Sequence, residues 1–316
     1  MLFSKVALAT ATAVASIQGV TAKKGKGKSG DLSGVGFDVL HINPGATSVI
    51  NGGTYDASNI VAAGTGSSIY DGAYGLFVDT DATATVCDAK LIKGGTLFEG
   101  DGRGGVFVAS GATLNIVDGL VEGGDEPDTE SSFGGYGIYA SYENPEANHI
   151  VITGGEILGG LRKDKGRGDS IFVEGGGTID VYGGTIGDKH TSTSLEAYVG
   201  YAGDLPAGNN VAVVNIHGGD WKGNLIIFDT ANNAEAYLHI YGEDLQVQTL
   251  DENGKKFLVE GHLCDGSFFQ QTIHAYTNNS NALTVSNDCS GSTAPTFDEC
   301  GSGKKSKKMS KGVRGL

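Results

Sequence analysis

The densest group of side chains fit for acid–base work lies in Leu161-Arg162-Lys163-Asp164-Lys165-Gly166-Arg167-Gly168-Asp169. An arginine can neutralise a carboxylated substrate, and a lysine beside it can abstract a proton. In that reading Lys163 or Lys165 is the base and Arg162 or Arg167 the neutraliser. The plainer reading, a charged loop in solvent, is favoured.

Carboxylates form a second set. Asp79, Glu174 and Asp229 each follow a recurring strand phrase, which predicts equivalent places on one face. Glycoside hydrolysis needs two carboxyl groups about 5 to 9.5 Å apart. Glu174 and Asp229 fall two repeats apart, about 10 Å at ordinary strand spacing, a little long for that chemistry. Solvated carboxylates at strand ends are the default. His41, His149, His190, His217, His239, His262 and His274 are scattered singly, which gives no support to a catalytic transition-metal site. Calcium could settle on acidic turns such as Asp79/Asp81 or Glu99/Asp101. No other cofactor is expected.

The elements that must carry these groups are repeats. One phrase, a short apolar strand, a glycine turn and a second short strand, recurs through the chain. It reads Val49-Ile50-Asn51-Gly52-Gly53-Thr54-Tyr55, Leu91-Ile92-Lys93-Gly94-Gly95-Thr96-Leu97 and Val151-Ile152-Thr153-Gly154-Gly155-Glu156-Ile157, with further copies at residues 114–120, 179–186, 214–221 and 238–245. A companion strand starts at Leu76, Val106, Ile138, Ile171 and Leu225, with a weaker copy near Tyr198-Val199, so the period is about thirty residues. A unit of three short strands cannot bury its inner face alone, and stacking does so. The expectation is an all-β fold, a right-handed parallel β-helix of seven to eight coils over residues 37–290. Phe77, Phe107, Tyr139 and Phe172 occupy the middle of the companion strand and would stack as an aromatic ladder. We expect that ladder to point inward, since exposed phenylalanine ladders are rare.

Composition sets the surroundings. Residues 1–22 have the layout of a signal peptide, with Lys5, an apolar stretch and Val20-Thr21-Ala22 before a cleavage point. Four cysteines, Cys87, Cys264, Cys289 and Cys300, suit an oxidising compartment. Cys264 with Cys289 is the expected pair, and the partners of Cys87 and Cys300 stay open. The sequon at Asn278 is a candidate glycosylation site. Eleven of the 22 basic residues lie between Lys5 and Lys28 or between Lys304 and Arg314, whereas all 37 acidic residues lie between. An acidic body repels nucleic acid, and basic ends suit polyanionic surfaces. Residues 23–36 and 291–316 are expected to be flexible basic arms, and no membrane span is expected once the leader is removed.

Across about residues 37–290 this pattern resembles the pectin-lyase-like right-handed β-helix proteins. The stretch Phe257-Leu258-Val259-Glu260-Gly261-His262-Leu263-Cys264-Asp265-Gly266-Ser267 is similar to the closing coils of secreted β-helix proteins. The lysine-rich ends resemble those of diatom secreted and cell-wall proteins, with Lys-x-x-Lys spacing at Lys304/Lys307, Lys305/Lys308 and Lys308/Lys311. In β-helix lyases, Lys and Arg placed as in residues 162–167 act on a uronate, so the resemblance implies a lyase or glycoside hydrolase. The Asn-Thr-Asp, Asp-Asp, Gly-His-Gly and Arg-Ile-Lys segments of galacturonan hydrolases are missing. The expectation is therefore a secreted, non-catalytic extracellular or cell-wall protein on anionic polysaccharide or silica. A polysaccharide-degrading enzyme and an adhesin are the alternatives.

Overall fold

The computed structural model describes residues 14–18, 39–62, 73–97, 102–126, 134–141, 147–199, 211–229, 234–277, 279 and 281–301, with the backbone alone at 14–18, 61–62 and 97. Regular structure among the described residues is β-strand, apart from a short 3-10 turn at Asp298–Cys300. No described helix is long and apolar enough to cross a membrane.

Successive repeats give successive strands to the same sheets. The first face is a 10-stranded sheet, in the order Leu40–Ile42, Leu76–Val78, Val106–Val108, Ile138–Ala140, Ile171–Glu174, Thr193–Val199, Asn224–Asp229 and Phe268–Tyr276. These eight run parallel, and Lys256–His262 and Gln246–Thr249 close the sheet antiparallel. A 14-stranded sheet supplies the other two faces. They meet at Thr83–Lys93, whose start pairs with Thr47–Asn51 and Thr113–Ile116 and whose end pairs with Thr54–Asp56 and Gly119–Glu122. Beyond it the second face continues through Asn148–Ile152, Gly177–Val181, Val211–Ile216, Glu235–Tyr241 and Leu283–Ser286. The third continues through Glu156–Leu158, Thr185–Ile186 and Asp220–Trp221. Parallel neighbours drawn from successive repeats are compatible with a β-solenoid.

Columns of like residues fill the interior. On the first face Leu76, Val106, Ile138, Ile171, Leu195, Leu225 and Ile273 stand in register, and all are buried. On the second face Val86, Ile116, Ile152, Val181, Ile216 and Ile240 do the same. The glycine of the repeated phrase has a conformational reason. Gly155, Gly184 and Gly219 turn the chain with φ of 83°, 95° and 102°, which a side chain rarely adopts. At the base of the long excursions the demand is steric instead. A Cβ on Gly124 would stand 1.8 Å from the carbonyl oxygen of Gly95.

Period two puts Phe77, Phe107, Tyr139 and Phe172 on the outside of the first face, opposite to the inward ladder expected. Aliphatic residues of similar size at every level already fill the interior, leaving no room for a second set. Phe77 and Phe107 are buried all the same, in a cluster of their own, with the Tyr74 ring 5.9 Å and 5.0 Å from theirs.

Beyond the last strand the chain doubles back as a strap. Cys264–Cys289 ties its start and Cys87–Cys300 its end, with Cα–Cα separations of 5.5 Å and 5.2 Å. On the way Ser292 Oγ lies 2.7 Å from His217 Nδ1, and Thr85 Oγ1 donates to Glu299 Oε1 at 3.1 Å. The strap thus runs along the second face from the last repeat to the second. Outward-facing Val49, Thr85, Asn115 and Val151 are buried, as that course requires. The Cys264–Cys289 expectation holds, and Cys87 finds its partner in Cys300. Residues 291–301, expected in the flexible tail, belong to this strap, because the disulfide and side-chain bonds fix them.

The N-terminal side has its own pairing. Val14–Gln18, inside the stretch read as a leader, lies parallel to Thr47–Asn51. Residues 23–36, residues 302–316, Asn278 and the Glu99/Asp101 turn lie outside the described residues.

Candidate functional site

The basic loop does not deliver its charges to solvent as a set. Arg167 is buried, and its Nε donates to Asp188 Oδ2 at 2.8 Å. Its Nη1 donates to Glu122 Oε1 at 2.8 Å and to the Gly159 carbonyl at 2.7 Å. Burial opposes the charge, but the two carboxylates outweigh it and raise the guanidinium pKa. Lys93 binds the same Glu122 at 3.2 Å and Asp125 at 2.8 Å. Arg167 is therefore a tie between repeats and cannot neutralise a substrate. Lys163 and Lys165 are exposed at the loop tip, where Lys165 takes a φ of 68°. Arg162 Nη2 pairs with Asp164 Oδ2 at 3.3 Å.

The carboxylates also sort differently from the sequence expectation. Asp79 and Glu174 each follow the last inward residue of their strands, Val78 and Val173, and so share an outward column. Asp229 does not. It stands opposite Val199, one position past that column, and accepts a hydrogen bond from the Thr277 hydroxyl. Asp79 Oδ2 lies 3.0 Å from His41 Nε2, while Asp81 is exposed with a φ of 58°. No group of three or more His, Cys, Asp or Glu among the described residues is placed to hold a metal ion.

Glu174 instead belongs to a cluster that the register assembles. Phe172 pairs with Glu196 and Glu174 with Tyr198 on the adjacent strand. A strand spacing of about 4.8 Å and a two-residue rise of about 6.6 Å put the Glu174 and Glu196 Cα atoms about 8 Å apart. Glu174 is buried and accepts a hydrogen bond from the Tyr139 hydroxyl. Burial, and then the Glu174 charge, push the Tyr139 phenol far up. Glu196 shares a hydrogen bond with Asp169, which enters from the end of the basic loop. Burial and the Glu196 charge raise the Asp169 carboxyl from 3.8 to about 7, with Arg162 nearby opposing them. Burial also raises Glu196, against the Asp169 hydrogen bond. Because they share that hydrogen bond, the two carboxyls titrate as a pair.

Aromatic rings frame this cluster on both sides. Tyr136 stacks on Phe172 at 4.5 Å and 12°, and Tyr198 stacks on Phe228 at 4.7 Å and 10°. Phe228 continues to Tyr276, which is exposed. The aromatic column thus changes lanes at the cluster, from the Phe77–Phe172 positions to the Glu174–Phe228 positions. A protonated carboxyl beside ionised ones can give and take a proton, and flat faces beside it suit sugar rings. A cavity of about 430 Å³ lies elsewhere, lined by Val247, Phe257, Leu283 and Val285, with Lys255 as its one titratable group. It offers no acid–base pair.

Sequence reasoning found Glu174 but missed Asp169, Glu196 and the role of Tyr139. The only available signal was the strand Thr193–Val199, in which the register of Leu195 with Ile171 sets Glu196 beside Phe172. Compared with protein-family models, curated proteins and solved structures, the chain matches none.

Proposed function

We propose that this protein is a secreted, right-handed parallel β-helix of eight coils that serves as an extracellular or cell-wall scaffold on an anionic polysaccharide or mineral surface, without catalysis through its basic loop. Eight levels of the first face support that coil count. Two disulfides suit an oxidising, extracellular setting. One observation carries the reading. Residues 31–303 carry all 37 acidic residues against eleven basic ones, of which Lys93, Arg162, Arg167 and Lys222 are each paired with a carboxylate, whereas Lys23, Lys24, Lys26, Lys28 and the six basic residues from Lys304 to Arg314 lie in the end segments. The test compares the secreted protein with a version cut to residues 37–301 for binding to polygalacturonate and to silica particles at low and high salt. The whole protein should bind and release with salt. Equal binding by the cut version removes the reading.

A second reading rests on the first-face cluster: glycoside hydrolysis with Asp169 as proton donor and Glu174 as base. A carboxyl raised to about 7 beside other carboxylates favours it. A reducing-sugar assay over neutral and acidic glycans, with Asp169→Asn as control, decides it. No product from any glycan removes it.

A further inference from the structure

The first face outruns the second after the last repeat. The second face stops at Leu283–Ser286, whereas the first adds Lys256–His262 and Gln246–Thr249 beyond Phe268–Tyr276. Two strand spacings make that overhang about 10 Å. Towards the third face it is packed, since Phe269 is buried and Gln271 Nε2 donates to the Trp221 carbonyl at 2.6 Å. Towards the second face it is open, and the cavity of about 430 Å³ lies there.

The wall of this cavity is the unfinished end of the core. Leu283 and Val285 stand opposite Leu238 and Ile240, and Phe257 opposite Ile273, so each prolongs an inward column. The residues they follow are fully buried, but Phe257, Leu283 and Val285 are only half-buried. Among the described residues no further strand of the second face supplies another level. Apolar side chains without their covering layer favour an apolar occupant.

The polar groups of the lining narrow its chemistry. Lys255 is the one charged side chain there; it is exposed, and among the described residues no carboxylate pairs with it. Asp251 accepts from the Lys255 backbone N–H instead, at 2.9 Å. The Thr277 hydroxyl donates to Asp229, and Asn279 Oδ1 accepts from the Asn281 N–H. A polyol would find few partners, whereas one anionic head on an apolar chain matches the lining. A second copy of this chain matches less well. Gln246–Thr249 is the open edge of the first face, with Glu243 and Asp244 before it and Asp251 and Glu252 after it. Two copies pairing antiparallel about its middle would set Asp244 against Asp251 and Glu243 against Glu252, which is destabilising.

We propose that this cavity binds a free, straight-chain fatty carboxylate of medium length, with the acyl chain on Phe257, Leu283 and Val285 and the carboxylate on Lys255. A volume near the lower end of the range for small-molecule sites, about 300 to 1,000 Å³, sets the medium length. The site depends neither on the scaffold reading nor on the first-face cluster.

The probes are hexanoate, octanoate and decanoate, titrated calorimetrically into the whole protein below their micellar concentrations. Each buried methylene is worth about fourfold in affinity, so each two-carbon step should tighten binding about tenfold or more until the cavity is full. Lys255→Met should weaken decanoate about fivefold and leave 1-decanol unchanged. Leu283→Trp, which fills the cavity, should abolish binding of both. Val247→Trp, at a lining position that is 48% exposed, replaces it should Leu283→Trp fail to fold. Melting establishes that each variant is folded.

No binding of any chain, or affinity that ignores chain length, overturns the site. Undiminished binding by a folded, filled variant overturns its location, and equal losses of decanoate and 1-decanol in Lys255→Met overturn the pairing with Lys255. Adsorption to phosphatidylcholine vesicles without affinity for free decanoate overturns the free-acid assignment. Self-association in sedimentation that Leu283→Trp abolishes, with no decanoate bound, gives this end to a second copy and overturns the proposal. Binding to polygalacturonate or silica is untouched by every one of these results, so failure here is distinct from failure of the scaffold reading.

Discussion

The first and second faces rest on the same kind of interior, yet they use their outward positions in opposite ways. On the second face the outward column of Val49, Thr85, Asn115 and Val151 lies beneath the strap, and His217 is stacked between Tyr182 and Tyr241 at 4.6 Å and 4.4 Å. On the first face the outward columns hold Tyr136, Phe172, Tyr198 and Phe228 around a carboxyl pair, and they grow more exposed toward Tyr276. One face is committed to holding the molecule together. The other carries stacked rings and carboxyls at buried to partly exposed positions.

The sharpest way to break this contrast is to release the strap. Cys87–Cys300 closes a separation of 213 residues and Cys264–Cys289 one of 25. Chain-entropy reasoning gives about 5 kcal/mol for the first and about 3 kcal/mol for the second. Cys87→Ser/Cys300→Ser should therefore lower denaturant stability more than Cys264→Ser/Cys289→Ser. The reverse order would mean that the second face does not depend on its cover.

Next in size is Arg167. Replacing it with Ala leaves Asp188 without its cation and Glu122 with Lys93 alone, and should cost about 3 kcal/mol. Lys163→Ala and Lys165→Ala, on the same loop but exposed, should stay within about 0.5 kcal/mol. Equal, small effects in urea unfolding would show that Arg167 does not tie the repeats together.

Acidity should act on the two faces in opposite directions. Asp169 is raised in the folded protein, so its contribution is present below 3.8 and is lost as pH rises toward about 7. His217 is lowered by burial, with Asp180 opposing, so its contribution is present above 6.5 and is lost as pH falls below that value. Asp169→Asn should flatten the melting temperature between about pH 4 and 7. His217→Phe, which keeps a flat ring between the two tyrosines, should flatten it below pH 6.5. Unchanged profiles for both would show that neither group senses its face.

The repeat was legible in the sequence because stacked strands demand the same residue type at each level, as with Leu76, Val106, Ile138 and Ile171. Cys264–Cys289 was legible because both lie in the closing turns. The aromatic ladder was legible as a ladder but not in direction. Period two separates Phe77 from Leu76 and Val78 without saying which set faces in, and rarity of exposed phenylalanine misled because Tyr74 covers the outward rings. Asp169, Glu196 and Tyr139 were not legible. They come from different repeats of unequal length, and only the register of Phe172 with Glu196 brings them together. The Arg162–Arg167 cluster drew attention by density, although its most buried member was already claimed by Glu122 and Asp188.

The smallest effect on stability bears most directly on use. Tyr198 and Phe228 stack outside the core, so Tyr198→Ala should cost only about 1 kcal/mol, whereas Phe107→Ala, in the buried end of the same face, should cost about 3 to 5 kcal/mol. A ring that contributes so little to folding has another reason to stand in register with Glu174 if ligand binding depends on it. Screening Tyr198→Ala and Phe228→Ala against a panel of neutral oligosaccharides tests that dependence. Binding lost at unchanged melting temperature would make the exposed half of the first face a recognition strip. Absence of binding by either variant or the unaltered protein would reduce the column to an outer seam between neighbouring strands, and the contrast between the two faces would then be one of cover alone.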